Sequence, residues 1–442
     1  MTSQTIDAAV MARQQGTSAL DYLQARGYVQ DVSDADGLRR HLADGTVSAY
    51  IGFDPTAPSL HVGHLMGIMM LAVLQRFGHR PIALAGGGTT MVGDPSGKTS
   101  VRPVMTEEEI GRNLGGIVRQ FDRYIDFEGG RFADGPAGGP GPAALLVNNA
   151  DWLLPLKYIE FLRDIGRHFS VNEMLAAETY KQRLETTGLN FVEFNYRIVQ
   201  AYDFLHLFRT HGCTLQMGGS DQWGNIVAGT DLIRRVTGGK GYALVCPLIT
   251  TSTGQKMGKS EGNSLWLDPA MTSPYDYYQY WVNVPDADVA RLMRLYTFLP
   301  DTRIDELTAV GGDAIREAKR VLAHESTALT HGPAAADEAQ AAAASLFAGR
   351  AGGTSLLDDP SVPTTEIPRA DLAGMTVADL YVRAGLASSR GEARRLAGQG
   401  GIGLDDDRVE DVDALVPAEL TAALLRVGKK RFRRVVVVGG HG

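Results

Sequence analysis

The strongest constraint on the fold comes from a short segment near the start of the chain, where a predicted buried strand turns into a helix. Residues 47–53 are the predicted strand, and residues 60–77 are the predicted helix, with Ser59 as its N-cap. A strand that leads into a helix N-terminus presents backbone N–H groups and the positive end of a helix to a phosphate. The segment therefore predicts an α/β sheet with an anionic ligand at this turn.

Two histidines begin this predicted helix. His61 and His64 are three residues apart, so they lie on one face of its first turns. Gly63 between them has no side chain, which allows a flat or bulky ligand to approach the backbone. Taken alone, HVGH is equally consistent with two surface histidines at a helix start, because short motifs match by chance.

Further predicted strands end in polar or glycine-rich turns, as expected where a parallel sheet binds a ligand at the carboxyl ends of its strands. These strands cover residues 81–85, 145–149, 214–217 and 243–247. The first runs into GGGTTMVGDPSGKT, whose end resembles a P-loop, but that loop requires glycine where this chain has Val92. The turn still contributes a cation, Lys98, and a carboxylate, Asp94. Asp94 is either a ligand for an ammonium group or a common turn residue before proline.

A second informative helix is predicted at residues 191–211, with Asn190 as its cap. Tyr196, Gln200 and Asp203 follow at spacings of four and three, so they lie on one stripe of a largely apolar helix. A polar stripe on a buried helix needs hydrogen-bond partners. The stripe is therefore either an internal network or the wall of a pocket for a polar ligand.

A polar loop at residues 250–262 carries Lys256 and Lys259 on either side of Met-Gly. Two lysines in a glycine-containing loop are suited to a polyphosphate, whose developing charge they neutralise. The alternative is an exposed, solvated loop.

Composition excludes several classes of protein. The chain has 442 residues, of which 44% are hydrophobic, which is enough for two or three domains. Cys213 and Cys246 are too few for a disulfide framework or a zinc site and are predicted to be small buried residues. The N-terminus lacks the pattern of a secretory signal, and the longest apolar run, residues 68–74, is too short to span a bilayer. We expect a cytoplasmic protein without a membrane partner.

The end of the chain is basic, although the net charge of the protein is −8. A predicted helix at residues 389–399 carries three arginines, and residues 426–434 hold six basic residues and no acidic one. Such a cluster suits the phosphate backbone of RNA, while a charged edge strand is the alternative. The predicted RNA-binding residues are Arg390, Arg394, Arg395, Lys429, Lys430 and Arg431.

Composition shifts along the chain predict four segments. Residues 1–247 are an α/β domain with N-terminal helices, and residues 248–350 hold the lysine loop and a helical domain. Residues 351–373, rich in proline, are a linker, and residues 374–442 are the basic domain.

HVGH and KMGKS, in that order, resemble the HIGH and KMSKS signatures of class I aminoacyl-tRNA synthetases. The longer strings YIGFDPTAPSLHVGHL, GDPSGKTSVR, NNADWL, YRIVQAYDF and LQMGGSDQWGNI closely resemble the bacterial tyrosyl-tRNA synthetases. The resemblance extends from about residue 20 to the end, where SSRGEARRLAGQGGI is similar to an S4 RNA-binding domain. It implies a Rossmann-like parallel-sheet catalytic domain, then an α-helical domain and a small α+β S4-like domain.

The resemblance also assigns roles to residues whose function the patterns leave open. It implies that Tyr50 and Asp203 bind a phenolic hydroxyl, that Asp94, Tyr196 and Gln200 bind an α-ammonium, and that Asn149 supports this pocket with Gln200. Gln222 would face both the amino acid and the adenylate, whose other contacts would be Gly52, Asp54, Gly63, Gly218 and Asp221. The ATP phosphates would be held by Thr56, His61, His64, Lys98, Arg102, Lys256 and Lys259.

The activity implied by the resemblance is ligation of L-tyrosine to tRNA at the expense of ATP. Mg²⁺ would accompany ATP and be held mainly by its phosphates, with no metal-binding residues and no tightly bound cofactor. The family also implies a homodimer. A tryptophanyl enzyme is the nearest alternative, and Tyr50 with Asp203 argues against it. An RNA-binding protein without catalysis is the other, and the intact signatures argue against that.

Overall fold

The computed structural model describes residues 7–96, 105–129, 142–186, 188–252, 257, 259–260, 263–309, 313–352, 364–405, 407–428 and 431–439. The predicted site residues Lys98, Arg102, Lys256, Lys429 and Lys430 lie outside these ranges. The chain forms two compact units. The first comprises Met1–Thr272 and Trp281–Gly332, and the second comprises Ser273–Tyr280 and Pro333–Gly442.

The first unit is built on a six-stranded sheet. Its strands are β1 (Asp31–Val32), β2 (Ser48–Phe53), β3 (Arg80–Ala85), β4 (Leu145–Asn148), β5 (Cys213–Gly219) and β6 (Tyr242–Cys246), in the order β1-β6-β5-β2-β3-β4. All neighbours are parallel except β1 and β6. The chain order reverses between β2 and β5, and the crevice at such a switch point is where parallel sheets bind ligands.

The helices alternate with these strands and continue beyond them. They are α1 (Ala8–Gln14), α2 (Ala19–Ala25), α3 (Ala35–Ala43), α4 (Val62–Arg76), α5 (Gly87–Val92), α6 (Glu107–Phe121), α7 (Ala150–Leu153), α8 (Tyr158–Asp164), α9 (Val171–Leu175), α10 (Glu178–Thr186), α11 (Phe191–His211), α12 (Trp223–Thr237), α13 (Pro274–Val282), α14 (Val289–Tyr296), α15 (Asp301–Thr308), α16 (Asp313–His331), α17 (Pro333–Gly352), α18 (Val377–Arg383) and α19 (Arg390–Gly398). In the described ranges, no helix has both the length and the apolar character needed to cross a bilayer.

The α/β fold predicted from the sequence is confirmed, with each predicted strand near its expected place. α11 has the predicted bounds because Asn190 caps it by accepting the Glu193 N–H at 2.8 Å and Gly212 ends it with φ of 59°. α4 is buried over most of its length because it is apolar on all sides. Cys213 and Cys246 are free and buried, as predicted.

The predicted N-terminal helices are present as α1 to α3, but the short strand β1, which was not predicted, lies between α2 and α3. Asp31 and Val32 pair antiparallel with β6 and complete one edge of the sheet. The segment is further anchored by Arg26, which is 2% exposed and donates to the carbonyls of Thr297 and Leu299 at 2.7 and 2.8 Å. Two paired residues are too few to give a periodicity that a sequence pattern detects.

The second unit contains a five-stranded sheet. Its strands are β9 (Thr364–Pro368), β10 (Ile402–Leu404), β11 (Asp407–Arg408), β12 (Ala422–Val427) and β13 (Arg431–Val438), in the order β11-β10-β12-β13-β9. β9 lies within the segment predicted to be a linker and pairs parallel with β13, and its Ile367 is fully buried in the core of this unit. The linker prediction is therefore wrong for residues 364–368. α17 belongs to the second unit, so the predicted boundary at residue 350 does not coincide with a boundary between units.

Candidate active site

A cavity of about 430 Å³ lies at the switch point of the sheet, at the carboxyl ends of β2 and β5. The residues that line it are far apart in the chain and come from four strands (β2, β3, β5 and β6), three helices (α4, α5 and α11) and the adjoining turns. The predicted site residues that line it are Tyr50, Gly52, Asp54, Thr56, His61, Gly63, His64, Asp94, Tyr196, Gln200, Asp203, Gly218, Asp221 and Gln222. The polar stripe of α11 is therefore a pocket wall, which was one of its two interpretations.

One end of the cavity is formed by the carboxylate of Asp203, which is 2% exposed. It accepts hydrogen bonds from Asn149 Nδ2 at 2.9 Å and from Trp152 Nε1 at 2.7 Å. Asn149 is itself held by the Gly88 N–H, which donates to its Oδ1 at 2.7 Å. Burial raises the pKa of Asp203 to about 7, although these two donors favour the ionised form.

The hydroxyl of Tyr50 is buried beside this carboxylate and has no hydrogen-bond partner among the described residues. Tyr50 is 1% exposed, and its ring packs against Phe204 with centroids 5.5 Å apart. Burial, followed by the charge of Asp203, raises its pKa well above the ordinary value. An unpaired buried hydroxyl is unfavourable, so this atom is available to a polar group of a ligand.

A second polar cluster surrounds Asp94, which is 8% exposed and whose pKa is raised by burial. Gln222 Nε2 donates to its Oδ2 at 2.7 Å, and the Ser96 N–H donates to its Oδ1 at 2.9 Å. Asn225 holds the cluster from behind, since its Nδ2 lies 3.1 Å from Gln222 Oε1 and 3.3 Å from Gln200 Oε1. The cluster presents one carboxylate and two amides to the cavity, which suits an ammonium group.

Asp54 lies between these two clusters. The Thr89 hydroxyl donates to its Oδ1 at 2.8 Å, and the Tyr196 hydroxyl lies 3.3 Å from its Oδ2. Tyr196, expected near the ammonium group, therefore contacts Asp54 in this structure. Asn149 Nδ2 also donates to the Thr89 hydroxyl at 3.0 Å, so a continuous chain of hydrogen bonds links Asp54 to Asp203.

The N-cap of α4 is His61, so the predicted cap Ser59 is wrong. His61 Nδ1 accepts the Gly63 N–H at 3.0 Å, and His64 Nδ1 accepts the His61 N–H at 3.2 Å. Ser59 faces the other way, accepting from Gln120 Nε2 at 3.0 Å. Gly63 is required here because a Cβ atom would lie 2.7 Å from the His61 ring. The two imidazoles stack with centroids 3.9 Å apart and line the cavity.

The segment around the lysine loop is tied to this histidine turn. The Val62 N–H donates to the Leu265 carbonyl at 3.0 Å, and the Leu267 N–H donates to the Leu60 carbonyl at 2.8 Å. Met257 is buried and lines the cavity. Lys259 begins strand β7 (Lys259–Ser260), which pairs with β8 (Asn263–Ser264); the side chain of Lys259 lies outside what the structure describes.

On the entering side of the same loop, Asp288 fixes Ser252. Its Oδ2 accepts from the Ser252 N–H at 2.8 Å and from the Ser252 hydroxyl at 2.9 Å. Arg291 pairs with Asp288 at 3.0 Å and donates to the Thr250 carbonyl at 2.6 Å. Both ends of the loop are thus held by the first unit.

The predicted RNA-binding arginines lie in the second unit, and most have acidic neighbours. Arg390 forms an ion pair with Asp379, Arg394 with Asp413 at 2.7 Å, and Arg395 with Glu392 at 3.7 Å. Arg431 donates to the Leu386 carbonyl at 3.1 Å. The three arginines of α19 are thus partly neutralised within the fold. Among the side chains that the structure describes, no group of three or more His, Cys, Asp or Glu is arranged to hold a metal ion.

Several residues of the site escaped prediction. Trp152, Thr89, Ser96 and Asn225 make the hydrogen bonds that orient Asp203, Asp54, Asp94 and Gln222. Each lies within four residues of a strand end or of a predicted site residue, and that position is the only signal the sequence offers for them. The partners of Trp152 and Thr89 are distant in sequence, so no local spacing reveals those contacts.

Comparison with known proteins agrees with this geometry. A family model described as tRNA synthetases class I (W and Y) matches residues 43–348. The tyrosine–tRNA ligase of Desulfosudis oleivorans is 51% identical over 443 residues, covering 96% of this chain and 100% of that protein. The tyrosine–tRNA ligase of Clostridium tetani is 46% identical over 426 residues, with coverage of 96% and 100%.

A solved structure gives the same result. The C-terminally truncated mitochondrial tyrosyl-tRNA synthetase of Aspergillus nidulans aligns with a TM-score of 0.67 at 31% identity, over 76% of this chain and 97% of that one. The matched family model covers more than half of the chain, and the relatives match nearly all of it. The chain therefore belongs to the class I tyrosyl-tRNA synthetases.

Proposed function

We propose that this chain is a tyrosine–tRNA ligase, which activates L-tyrosine with ATP, releases pyrophosphate and transfers the tyrosyl group to the 3′ end of its tRNA. The observation that carries the proposal is the pair of buried polar groups at one end of the cavity. The unpaired hydroxyl of Tyr50 and the carboxylate of Asp203 suit a phenol, which both accepts and donates a hydrogen bond.

Tyr50 and Asp203 also account for the proposed selectivity for tyrosine over phenylalanine and tryptophan. Phenylalanine would leave the Tyr50 hydroxyl buried without a partner and would make no hydrogen bond to Asp203. The penalty for unpaired polar groups far exceeds that for a missing methylene, and the tyrosyl enzymes are themselves the usual example of this rule. No separate editing site is then required. The indole of tryptophan offers one donor and no acceptor, so it matches the pair less well.

The amino group of tyrosine is bound by Asp94, Tyr196 and Gln200 in this proposal, with Gln222 between the amino acid and the adenylate. The carboxylate of tyrosine attacks the α-phosphorus of ATP, the bond to the bridging oxygen breaks, and pyrophosphate leaves with the electron pair. The nucleophile is already ionised, so no general base is needed. Catalysis is positioning together with stabilisation of the departing charge.

The groups proposed to stabilise the charge on the departing pyrophosphate are Thr56, His61, His64 and three loop lysines, Lys98, Lys256 and Lys259. Thr56 and both histidines line the cavity at the N-terminal end of α4, where the helix dipole also favours anions. Mg²⁺ is proposed to enter with ATP as part of the substrate, held mainly by the phosphates.

The second unit is proposed to be the tRNA-binding part, with residues 374–442 as an S4-like domain and the cytoplasm as its place of action. What supports this is the sequence resemblance and the six basic residues between 426 and 434. The proposed phosphate contacts are Arg390, Arg394, Arg395, Lys429, Lys430 and Arg431, and the acidic neighbours of the three arginines on α19 reduce their positive charge.

A homodimer is also proposed, and exposed apolar side chains support it. Tyr158 and Ile159 on α8 are 59% and 73% exposed, and Phe191 at the start of α11 is 66% exposed. α8 and α11 pack together through Phe161 and Tyr202, whose centroids are 5.4 Å apart. Exposed apolar groups of this size on two packed helices suit an interface with a second copy. Ile159→Asp should give monomers in sedimentation, whereas Arg209→Asp at the exposed end of α11 should remain dimeric; dimers in both would refute this interface.

Amino-acid-dependent exchange of pyrophosphate into ATP tests the function. The full chain is assayed with Mg²⁺ and tyrosine, phenylalanine or tryptophan, without tRNA. Exchange with tyrosine alone is expected. Exchange with tryptophan would keep the mechanism and overturn the roles of Tyr50 and Asp203. No exchange from folded protein would favour an RNA-binding protein without catalysis.

A further inference from the structure

A buried arginine outside the active site has no anionic partner among the residues that the structure describes. Arg197 on α11 is 8% exposed. Its contacts are a long hydrogen bond from Nε to Asn225 Oδ1 at 3.5 Å and the ring of Tyr180, whose centroid is 4.7 Å from Cζ. Burial lowers its pKa, and the charge of Tyr180 opposes this shift. Buried charges in proteins are normally paired, so the missing carboxylate requires an explanation.

The carboxylates that could pair with Arg197 have other partners. Glu193, one helical turn earlier, binds Arg183 through both oxygens at 2.7 and 2.9 Å. Asp231 pairs with Arg234 at 3.1 Å, and Glu173 faces Arg235 at 3.9 Å. No ion pair of Arg197 occurs in the parts of the chain that the structure describes.

The guanidinium instead borders a cavity of about 250 Å³, the Arg197 pocket, between α12 and the segment around α9. Phe169 and Trp223 form apolar walls, and the polar lining consists of Ser170, His168, Arg235 and the ion-paired carboxylates of Glu173 and Asp231. Gly224 makes room for the arginine, because a Cβ atom there would lie 2.8 Å from Arg197 Nη2. The pocket thus combines a buried cation, hydroxyl and imidazole donors, and space.

We propose that the Arg197 pocket binds a small tetrahedral oxyanion of the phosphate class, separately from the site for the ATP phosphates. The anion accepts from Nη1 and Nη2 of the guanidinium, which donate to no other group among the described residues, and from Ser170. A planar guanidinium matches two oxygens of such an ion at once, which makes arginine well suited to this role. The partial enclosure by Phe169 and Trp223 reduces screening by water and salt.

The test measures the thermal unfolding of the full chain in inorganic phosphate against chloride at equal ionic strength. The background is His61→Ala, which removes one proposed contact for phosphate in the active site. A saturable rise in Tm of about 2–4 °C is expected in this background. Arg197→Met should abolish the rise, and Arg197→Lys should retain part of it. Arg209→Met, on the exposed end of the same helix, is the matched control and should respond fully.

Without phosphate, Arg197→Met should be at least as stable as its parent, because an apolar side chain of similar length replaces an unpaired buried charge. If that variant does not fold, Gly224→Ala replaces it, since its Cβ displaces the guanidinium and should remove the phosphate response. The proposal is wrong if phosphate does not raise Tm in the His61→Ala background. It is equally wrong if Arg197→Met responds as strongly as Arg209→Met.

Discussion

The hydroxyl of Tyr50 is unpaired in the protein, so its removal should affect stability and catalysis in opposite directions. Tyr50→Phe eliminates a buried unsatisfied group and should leave the free energy of unfolding unchanged or raise it by up to about 1 kcal/mol. The same change removes a hydrogen bond to the substrate, and kcat/KM for tyrosine in pyrophosphate exchange should fall roughly 3–15-fold.

Urea unfolding and exchange kinetics on the same preparation check this prediction. Phe204→Leu, which alters the packing against the Tyr50 ring without touching its hydroxyl, is the control and should lower stability. A loss of stability in Tyr50→Phe equal to that of the control would mean that the hydroxyl has a partner in the protein.

Asp203 should make the free energy of unfolding depend on pH in the opposite sense from a salt-bridged carboxylate. Its pKa is raised from 3.8 to about 7, so between these values the native protein holds a proton that the unfolded chain has lost. The contribution of Asp203 to the free energy of unfolding therefore falls by about 1.4 kcal/mol per pH unit as pH rises through this window. Above pH 7 the whole destabilising effect of the buried, ionised carboxylate is present.

Asp203→Asn cannot lose this proton, and the difference in unfolding free energy between variant and parent isolates the effect. The free energy of unfolding of the variant, relative to that of the parent, should rise between pH 5 and pH 8. Any cost of replacing the carboxylate that does not depend on pH cancels in the comparison of the two pH values. Urea titrations at both pH values measure this difference. A difference that stays constant would show that the carboxylate is already ionised at pH 5.

His61 has two functions in α4, as the N-cap of the helix and as a proposed phosphate ligand, and two substitutions separate them. His61→Ala should lower the free energy of unfolding by about 1 kcal/mol because the Gly63 N–H loses its acceptor. His61→Asn should restore the cap, since asparagine is a preferred N-cap residue. Both variants should lose exchange activity while tyrosine affinity changes little.

Equilibrium dialysis with tyrosine and exchange kinetics distinguish these effects. Recovery of activity in His61→Asn would mean that the cap, and not the imidazole, is what catalysis needs. A collapse of tyrosine affinity in both variants would remove His61 from the phosphate end of the site.

The elements that the sequence predicts well are those with a long, regular pattern. α11 has polar residues on one stripe, a capping asparagine and a terminal glycine, and its bounds were predicted to the residue. The predicted bounds of β2 and α4 are within two residues of the observed ones, but the predicted N-cap of α4, Ser59, is wrong. Serine is the commoner cap, and the tertiary contacts of the Ser59 hydroxyl with Gln120 and with the Asp268 N–H turn it away from the helix.

The contacts that complete the site were beyond prediction because they join residues far apart in the chain. Trp152 reaches Asp203 across about fifty residues, and Asn225 reaches Gln200 between two different helices. Residues 364–368 were predicted to be part of a linker because proline and threonine are common both in linkers and in edge strands. Their pairing with β13 makes them strand β9. Even so, most of the polar residues that line the cavity followed from the resemblance, because the signature motifs include residues that bind the ligand as well as residues that determine the fold.

The division of the chain into two units predicts that shortening it separates pyrophosphate exchange from tRNA charging. The cavity is lined by residues between Tyr50 and Met257, all in the first unit. A chain that ends at residue 352 should therefore retain kcat/KM for pyrophosphate exchange within about twofold, and it should lose most tRNA charging because the proposed phosphate contacts are gone. The end is set at 352 because α17 groups with residues 273–280, among which Tyr277 and Tyr278 are buried.

Exchange and charging assays on the same preparation test this separation. Full charging by the shortened chain would refute the role proposed for residues 374–442. Loss of exchange from a folded fragment would mean that the active site depends on the second unit.

The order of strands in the first sheet also has a consequence for synthesis on the ribosome. β2 is translated early, but one of its two neighbours, β5, begins only at Cys213, and the Leu265–Leu267 segment that binds Leu60 and Val62 comes later still. At roughly 5–20 residues per second, the stretch from Phe53 to Leu267 takes roughly 10–40 s to translate. During that time the nascent chain exposes an unpaired edge of β2, so the active site is completed late and the emerging chain is a natural client for a ribosome-associated chaperone.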